Sequence, residues 1–542
     1  MYIEKIHIEN FKGYKEYDLV LNEKVNILVG DNESKKSTIV EALNLVLTGH
    51  LDNQFLTEER LNPFLFNQEE IKKYLELIKD GKNIDPPAIR IELFFPENST
   101  LPEDYEGHEN HTTQKHKGLC YEISFNESLR DSYDEMLTSN RDLIDSIPLE
   151  YYKIRLTLFS GNEILRTQVP IKSLLIDATS NNINVSNSII AKIIKNDLET
   201  EDKLKAKRFF RSIKDTYKDN EIHELISKKI VNDETTASID PSSRNSWDSH
   251  LSVYFKEIPF EYAGKGRQSM MKTDVALSSN KAGEAKVILL EEPENHLSHS
   301  NLLHLLSEVE KNLKHKQVII TSHSSFVANK LGLPNLKLLS ENANSINFTD
   351  LDESTENFFK KLPGYDTLRI LLCEKAILVE GDADELVIQR AYIDRYNVLP
   401  IMHKIEVISV NNTYNRVAEI AIGLNKKVAI VIDVDCSKEK KEENNIRLQK
   451  ESDNLIKVFL EENDKPEKIA DDKFNHNTLE PLLYKYNGLD KLNKVLDTNY
   501  KNAEEILLHM RGNKTDCALK IFESPEKIVF PKYITDAIDF VS

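Results

Sequence analysis

Residues 1–11, MYIEKIHIENF, alternate apolar and polar side chains, the period of a strand with one buried face. The apolar run KVNILVG ends at Gly30 and predicts a buried strand. STIVEALNLVL behind it places apolar residues at helical spacing. The opening of the chain therefore reads strand, strand, tight loop, helix. Further strands are predicted at AIRIELFF, GLCYEISF and EYYKIRLTLF, separated by polar loops. From 183 to 245 the chain turns polar and helical, the pattern of an inserted helical arm. KVILLEE and QVIITSH predict two more buried strands, and SENANSINFTDLDESTEN a polar connector. Near residue 370 a second series begins: KAILVEG, a helix, KIEVISVNN, a helix, KKVAIVIDVD. Strands alternating with helices predict parallel sheets, so the fold class is α/β. Two domains follow, 1–365 and 366–542, with the arm inserted in the first.

Composition narrows the partners. A net charge of −19 argues against a surface coated for nucleic acid, which must then be met by a local basic patch or through bound metal ions. The run KLKAKRFFRSIKDTYK is one basic segment, and it reads as a solvated helix face. No run approaches the ~20 apolar residues that span a bilayer. The alternating N-terminus lacks the apolar core of a signal peptide. Four scattered cysteines form no disulfide framework. The expectation is a reduced, cytoplasmic protein without a membrane partner. His108, His111, His116 and Cys120 lie close in sequence, but their spacing fits no standard zinc pattern, and a solvated loop is expected.

Two constellations carry chemistry. GDNESKKST, after the strand KVNILV, resembles a P-loop, in which backbone N–H groups curl around phosphates at a helix N-terminus. Gly30 opens the turn and Asn32 follows it. Lys36 would reach the phosphates, and Ser37, with Thr38 beside it, would help to hold Mg²⁺. Lys35 stands where the pattern has its second glycine, so a β-carbon crowds the phosphates or strains the loop. ATP binding is expected, and turnover is left open. KVILLEEPENHL ends a buried strand in acids: Glu291 for the Mg²⁺ shell and Glu292 to polarise an attacking water. His323, past the strand QVIITSH, would contact the γ-phosphate.

The second constellation is KAILVEGDADE followed by KKVAIVIDVD. Glu380 ends a buried strand, Gly381 lets the chain turn, and Asp384 opens a helix. Asp433 and Asp435 share one side of the next strand end, because residues two apart face the same way. In a parallel sheet these ends line one crevice. Four converging carboxylates are costly unless cations neutralise them, and oxygen-only ligands suit Mg²⁺ or Mn²⁺. Two such ions ~4 Å apart form the clamp for phosphodiester chemistry. The competing reading is that these acids only cap helices at strand–helix turns.

Family resemblances add to this. With Ile6, Ile8, Asn10, Phe11 and the E-E-P-E-x-x-L segment from Glu291 to Leu297, the N-terminal part resembles ABC-type ATPases of the branch that includes RecF and the structural-maintenance-of-chromosomes proteins. That resemblance implies a glycine-rich signature supplied by a second subunit, best matched by AGKGRQSM with Gly264, Gly266 and Gln268. It therefore implies at least a homodimer, or a higher oligomer. E-G…D-x-D resembles the Toprim domain, and a P-loop ATPase followed by Toprim resembles the OLD-family nucleases, including the Gabija and retron-effector types. The resemblance implies a metal ligand at Glu480 in HNTLEPLLYKY and a phosphate-facing lysine at Lys514 in MRGNKTDCALKIF. It also implies DNA as substrate, a role in anti-phage defence, and work alone, with a helicase, or under a retron reverse transcriptase with its RNA–DNA hybrid. The alternative is a RecF-like repair ATPase without nuclease activity.

Overall fold

The computed structural model describes residues 1–30, 35–52, 54–82, 84–140, 144–177, 199–218, 253–277, 283–295, 297–312, 316–324, 327, 331, 333–339, 345–347, 366–371, 373–433, 438–461 and 478–542. In chain order the elements used below begin with strands β1 (Lys5–Phe11), β2 (Tyr14–Val20) and β3 (Val25–Val29) and helix α1 (Lys36–Thr48). Strands β4 (Ile89–Phe95), β5 (His116–Phe125), β6 (Tyr152–Leu158) and β7 (Ser173–Asp177) follow, then helices α2 (Thr200–Lys218) and α3 (Lys265–Leu277). Next come β8 (Val287–Glu291), β9 (Gln317–Ser322), β10 (Leu336–Leu339) and β11 (Lys375–Val379). After α4 (Asp382–Tyr396), β12 (Ile405–Ser409), α5 (Tyr414–Gly423), β13 (Lys427–Val431) and β14 (Ile456–Phe459), five helices close the chain. These are α6 (Leu479–Asn487), α7 (Leu489–Leu496), α8 (Ala503–Gly512), α9 (Lys514–Glu523) and α10 (Lys532–Val541).

The chain divides into two compact units, Met1–Val25 with Ser37–Thr321, and Asn26–Lys36 with Ser322–Ser542. In the first, an antiparallel sheet runs β2-β1-β4-β5, with β6 on β5. β1 pairs on both edges and buries Ile6, Ile8 and Phe11, and it also buries the polar His7 between them, so burial is not confined to the one face that the alternation in MYIEKIHIENF predicts. Gly118 in β5 is required by close approach, since a β-carbon there would lie 2.1 Å from the Phe159 ring. Strands β7, β8 and β9 pair in parallel, Leu174 beside Ile288 and Leu289 beside Ile319. The near-continuous apolar runs of β8 and β9 are what a strand buried on both faces demands, whereas β7 buries only Ile176.

In the second unit β3 pairs in parallel with β10. A separate four-stranded sheet, order β12-β11-β13-β14, is parallel throughout. Helices α4 and α5 cross over between its strands, as the alternation near residue 370 predicts. The five closing helices have no counterpart among the sequence expectations. They pack on α4 and the sheet through Val387, Ile388, Leu482, Leu492, Ile506 and Ile538. Arg390 of α4 is 7% exposed and donates to the carbonyls of Ile521, Phe522, Ser524 and Glu526, so it holds the C-terminal end of α9.

Of the helical arm placed at 183–245, only 199–218 falls within the described residues. There α2 forms the helix the basic run predicts, and it exposes Leu204, Phe209 and Ile213 as well as its charges. No helix among the described residues is long and apolar enough to cross a membrane.

Candidate active site

The acid crevice lies at the C-terminal ends of β11 and β13. Glu380 follows β11 directly, and Gly381 caps α4. Gly381 has φ −144°, an extended conformation open to any residue, so glycine is not needed there to make the turn. The turn is fixed instead by the Gly381 N–H, which donates to Asp384 Oδ2 at 3.0 Å. Asp384 thus caps its own helix and faces the crevice at once. The capping and site readings of this residue are not exclusive.

Asp433 leaves β13 and accepts from the Leu479 N–H at 3.4 Å, at the start of α6. That contact brings Glu480, the second residue of α6, into the same place. Glu480 is 8% exposed and pairs with Lys514 at 3.1 Å. Lys514 is the first residue of α9, the helix held by Arg390. Burial pushes the Asp384 carboxyl up to about 6, helped by Glu480 and Glu380. Burial pushes Asp433 up to about 8, helped by Asp384, Glu380 and Glu480. Burial alone would lower the Lys514 ammonium, but Glu480, Asp433 and Asp384 raise it overall. Asp435 lies outside the described residues.

Two groups here carry no motif. The Tyr533 hydroxyl of α10 is driven well above its ordinary value by burial and by Asp433 and Asp384. Glu461, just past β14, acts on it too and is itself buried. Both lie in stretches without a motif, and only the fold brings them here.

This donor set fits hard divalent cations. Glu380, Asp384, Asp433 and Glu480 offer only oxygen. Burial first, and the neighbouring carboxylates second, raise the proton affinity of Asp384 and Asp433, a cost that a bound cation would relieve.

At the phosphate loop, Lys36 is buried, and its ammonium donates to the Gly30 carbonyl at 2.7 Å and to His323 Nδ1 at 3.2 Å. The loop's lysine and the post-strand histidine therefore meet. Lys35 takes φ +59°, the left-handed region that favours glycine. The glycine missing from the motif is missing where the backbone calls for one. Asn32 lies outside the described residues, and Thr38 sits partly buried on α1.

Burial pushes the Glu291 carboxyl up to about 7, against a hydrogen bond from Ser37, with Asp177, Glu41 and Glu292 adding to the rise. Asp177 lies beside Glu291 in register across β7 and β8. Glu292 has φ +43°, and its carboxylate accepts from Asn295 at 2.6 Å. Residues held in the left-handed region cluster at functional sites. Gly264 precedes α3 and a β-carbon on it would meet nothing, while Gly266 lies inside the helix. Gln268 spends its amide on the carbonyls of Phe260 and Ala263.

Known proteins match both halves. Residues 1–328 match the family described as AAA ATPase domain, and residues 371–435 match that described as overcoming lysogenization defect protein-like, TOPRIM domain. A DNA replication and repair protein RecF from Clostridium botulinum is 23% identical over 57% of this chain and 90% of its own length. A RecF from Crocosphaera subtropica is 29% identical over 28% of this chain and 41% of its own length. The solved C-terminal region of the Xanthomonas campestris OLD protein covers 31% of this chain and 92% of its own, at 21% identity and a TM-score of 0.23. Domains of these two kinds bind nucleotide and use divalent metal. The ATPase match takes in more than half of the 542 residues, and the chain therefore belongs to the AAA ATPase domain family, joined in one polypeptide to a Toprim domain.

Proposed function

We propose that the chain is an ATP-regulated, divalent-metal-dependent DNA endonuclease. The observation that carries this reading is the convergence of Glu380, Asp384, Asp433 and Glu480 with Lys514 at one crevice, with two of the acids holding their protons near or above pH 6. Mg²⁺ or Mn²⁺, two ions in this reading, would supply Lewis acidity and a water activated for attack on a phosphodiester. Glu380 would serve as a metal ligand or as general base. Asp384, Asp433, Asp435 and Glu480 hold the ions. Lys514 faces the charge that develops on the phosphate.

In the ATPase part, Gly30, Asn32, Lys36, Ser37 and Thr38 take the phosphates, with Glu291, Glu292 and His323 completing the site. Gly264 and Gly266 would come from a second copy, which makes the protein a homodimer or larger. We place the border between the two parts near 365 and assign the arm, 183–245, to dimerisation. In this reading the role is anti-phage defence in the cytoplasm, similar to that of the Gabija or retron-effector nucleases. The protein would work alone, with a helicase, or with a reverse transcriptase carrying an RNA–DNA hybrid.

The test is incubation of plasmid and linear DNA with the protein, Mg²⁺, Mn²⁺ or EDTA, with and without ATP. Lys514→Ala is expected to cut cleavage on the order of 100-fold while leaving the fold intact, because Lys514 is half exposed. Full activity in that variant would remove Lys514 from the mechanism. The RecF relatives favour a second reading, a repair ATPase whose C-terminal acids are structural. It predicts no metal-dependent cleavage by the wild type.

Lys35→Gly tests the altered loop. Releasing a side chain from the left-handed region is expected to stabilise the protein by about 1 kcal/mol. It is also expected to raise ATP turnover. A brisk wild-type ATPase that gains nothing from the glycine would show that Lys35 is no obstacle to hydrolysis.

A further inference from the structure

At the antiparallel sheet of the first unit, far in sequence from the Toprim acids, three metal-ligand side chains meet. His7 on β1 and Asp18 on β2 are partners in register. His111 enters from the segment before β5. One donor atom from each lies within 4.8 Å of the other two. His7 Nδ1 lies 3.1 Å and His111 Nε2 3.8 Å from Asp18 Oδ1. The two imidazoles stack with centroids 3.7 Å apart and planes 9° from parallel.

Glu92 on β4, fully buried and in register with His7, accepts from the His111 backbone N–H and from its Nδ1 at 2.6 Å. That bond fixes the His111 tautomer and leaves Nε2 as a lone-pair donor, the carboxylate–histidine arrangement that backs metal-bound imidazoles. The Lys5 ammonium lies 3.2 Å from His111 Nε2 and 3.0 Å from Asp18 Oδ1. A cation therefore already rests on two of the three donors.

We propose that His7, Asp18 and His111 form a site for a transition-metal dication of the Zn²⁺ class, displacing Lys5. Two imidazoles and one carboxylate suit such an ion, whereas the Toprim acids offer only oxygen. Binding would turn the parallel rings towards one another, with the His7 proton carried on Nε2 so that Nδ1 offers its lone pair. Lys5, about a fifth exposed, swings to solvent. The ion would clamp the segment around His111 to β1 and β2, leaving its fourth position to water. Cys120 takes no part: it pairs with Glu92 across the sheet, and burial pushes its thiol up to about 12. His108 instead contacts the Thr113 carbonyl.

The test uses the full-length protein in excess Mg²⁺, which saturates oxygen-only sites, with Zn²⁺ uptake by calorimetry and the visible spectrum of Co²⁺ as probes. One Zn²⁺ per chain and a Co²⁺ spectrum of nitrogen ligation are expected. His111→Gln and the surface change Asp18→Asn should each weaken binding at least tenfold, and Lys5→Gln should tighten it. No saturable uptake, or uptake indifferent to both His111→Gln and Asp18→Asn, overturns the site. A Lys5→Gln variant that binds no more tightly overturns the displacement. None of these readouts depends on DNA cleavage.

Discussion

Replacing Asp433 with asparagine is expected to abolish metal-dependent DNA cleavage and, in the same protein, to raise the melting temperature of the metal-free form. Cleavage should fall on the order of 10³-fold, since a lost ligand removes both ion placement and charge stabilisation. The gain in stability follows from the crowd around the residue. Asp433 is half-buried, and desolvation together with Asp384, Glu380 and Glu480 drives its carboxyl up to about 8. Asparagine keeps the shape and an acceptor for the Leu479 N–H while removing the charge. An increase of about 2 °C or more is expected, the size of a ~1 kcal/mol gain in a domain of this scale. Thermal melts in EDTA alongside plasmid cleavage in Mg²⁺ check both halves. Undiminished cleavage would discard the site, and a lower melting temperature would discard the electrostatic account.

The second large effect is a reversal of pH dependence by metal. Asp384 and Asp433 bind protons more tightly folded than unfolded, near 6 and 8 against an ordinary carboxyl value of 3.8. The folded state then carries the extra protons, so the stability they confer is complete at acid pH. It is lost as pH rises first through about 6 and then through about 8. In EDTA the melting temperature should therefore fall between about pH 5 and pH 9. A divalent ion takes the place of the protons, so added Mg²⁺ should stabilise the protein more at the alkaline end. Nucleotide must be left out, to keep the second metal-using site silent. The Asp433→Asn variant should flatten the fall. A wild-type melting temperature that climbs with pH in EDTA would contradict the coupling.

The strands that carry Glu380 and Asp433 were legible because their signal is local. Glu380 and Asp433 stand at the ends of apolar runs, and a parallel sheet brings such ends to one edge. Glu480 and Lys514 open helices in a stretch whose fold the sequence did not reveal, so only family likeness pointed to them. Tyr533 and Glu461 had no signal at all. The glycine at 381 was assigned a conformational duty that its extended backbone does not impose, whereas Lys35 occupies a backbone position that does favour glycine. His7, Asp18 and His111 illustrate a further limit. The alternation of β1 and β2 gives which face a side chain takes. Which residue of one strand lies beside which residue of the other depends on register, and no residue pattern announced it.

One bond made by Asp384 bears on the choice of ion. Its Oδ2 already accepts the Gly381 N–H at 3.0 Å, which pins the carboxylate's orientation and leaves Oδ1 as the oxygen free of that tie. Calcium collects six to eight oxygens and draws on carboxylates that chelate with both, while magnesium is content with one oxygen from each of a few acids and keeps its water. In the proposed site Asp384 is a one-handed ligand by construction, so calcium should occupy the crevice poorly and compete weakly against magnesium for it.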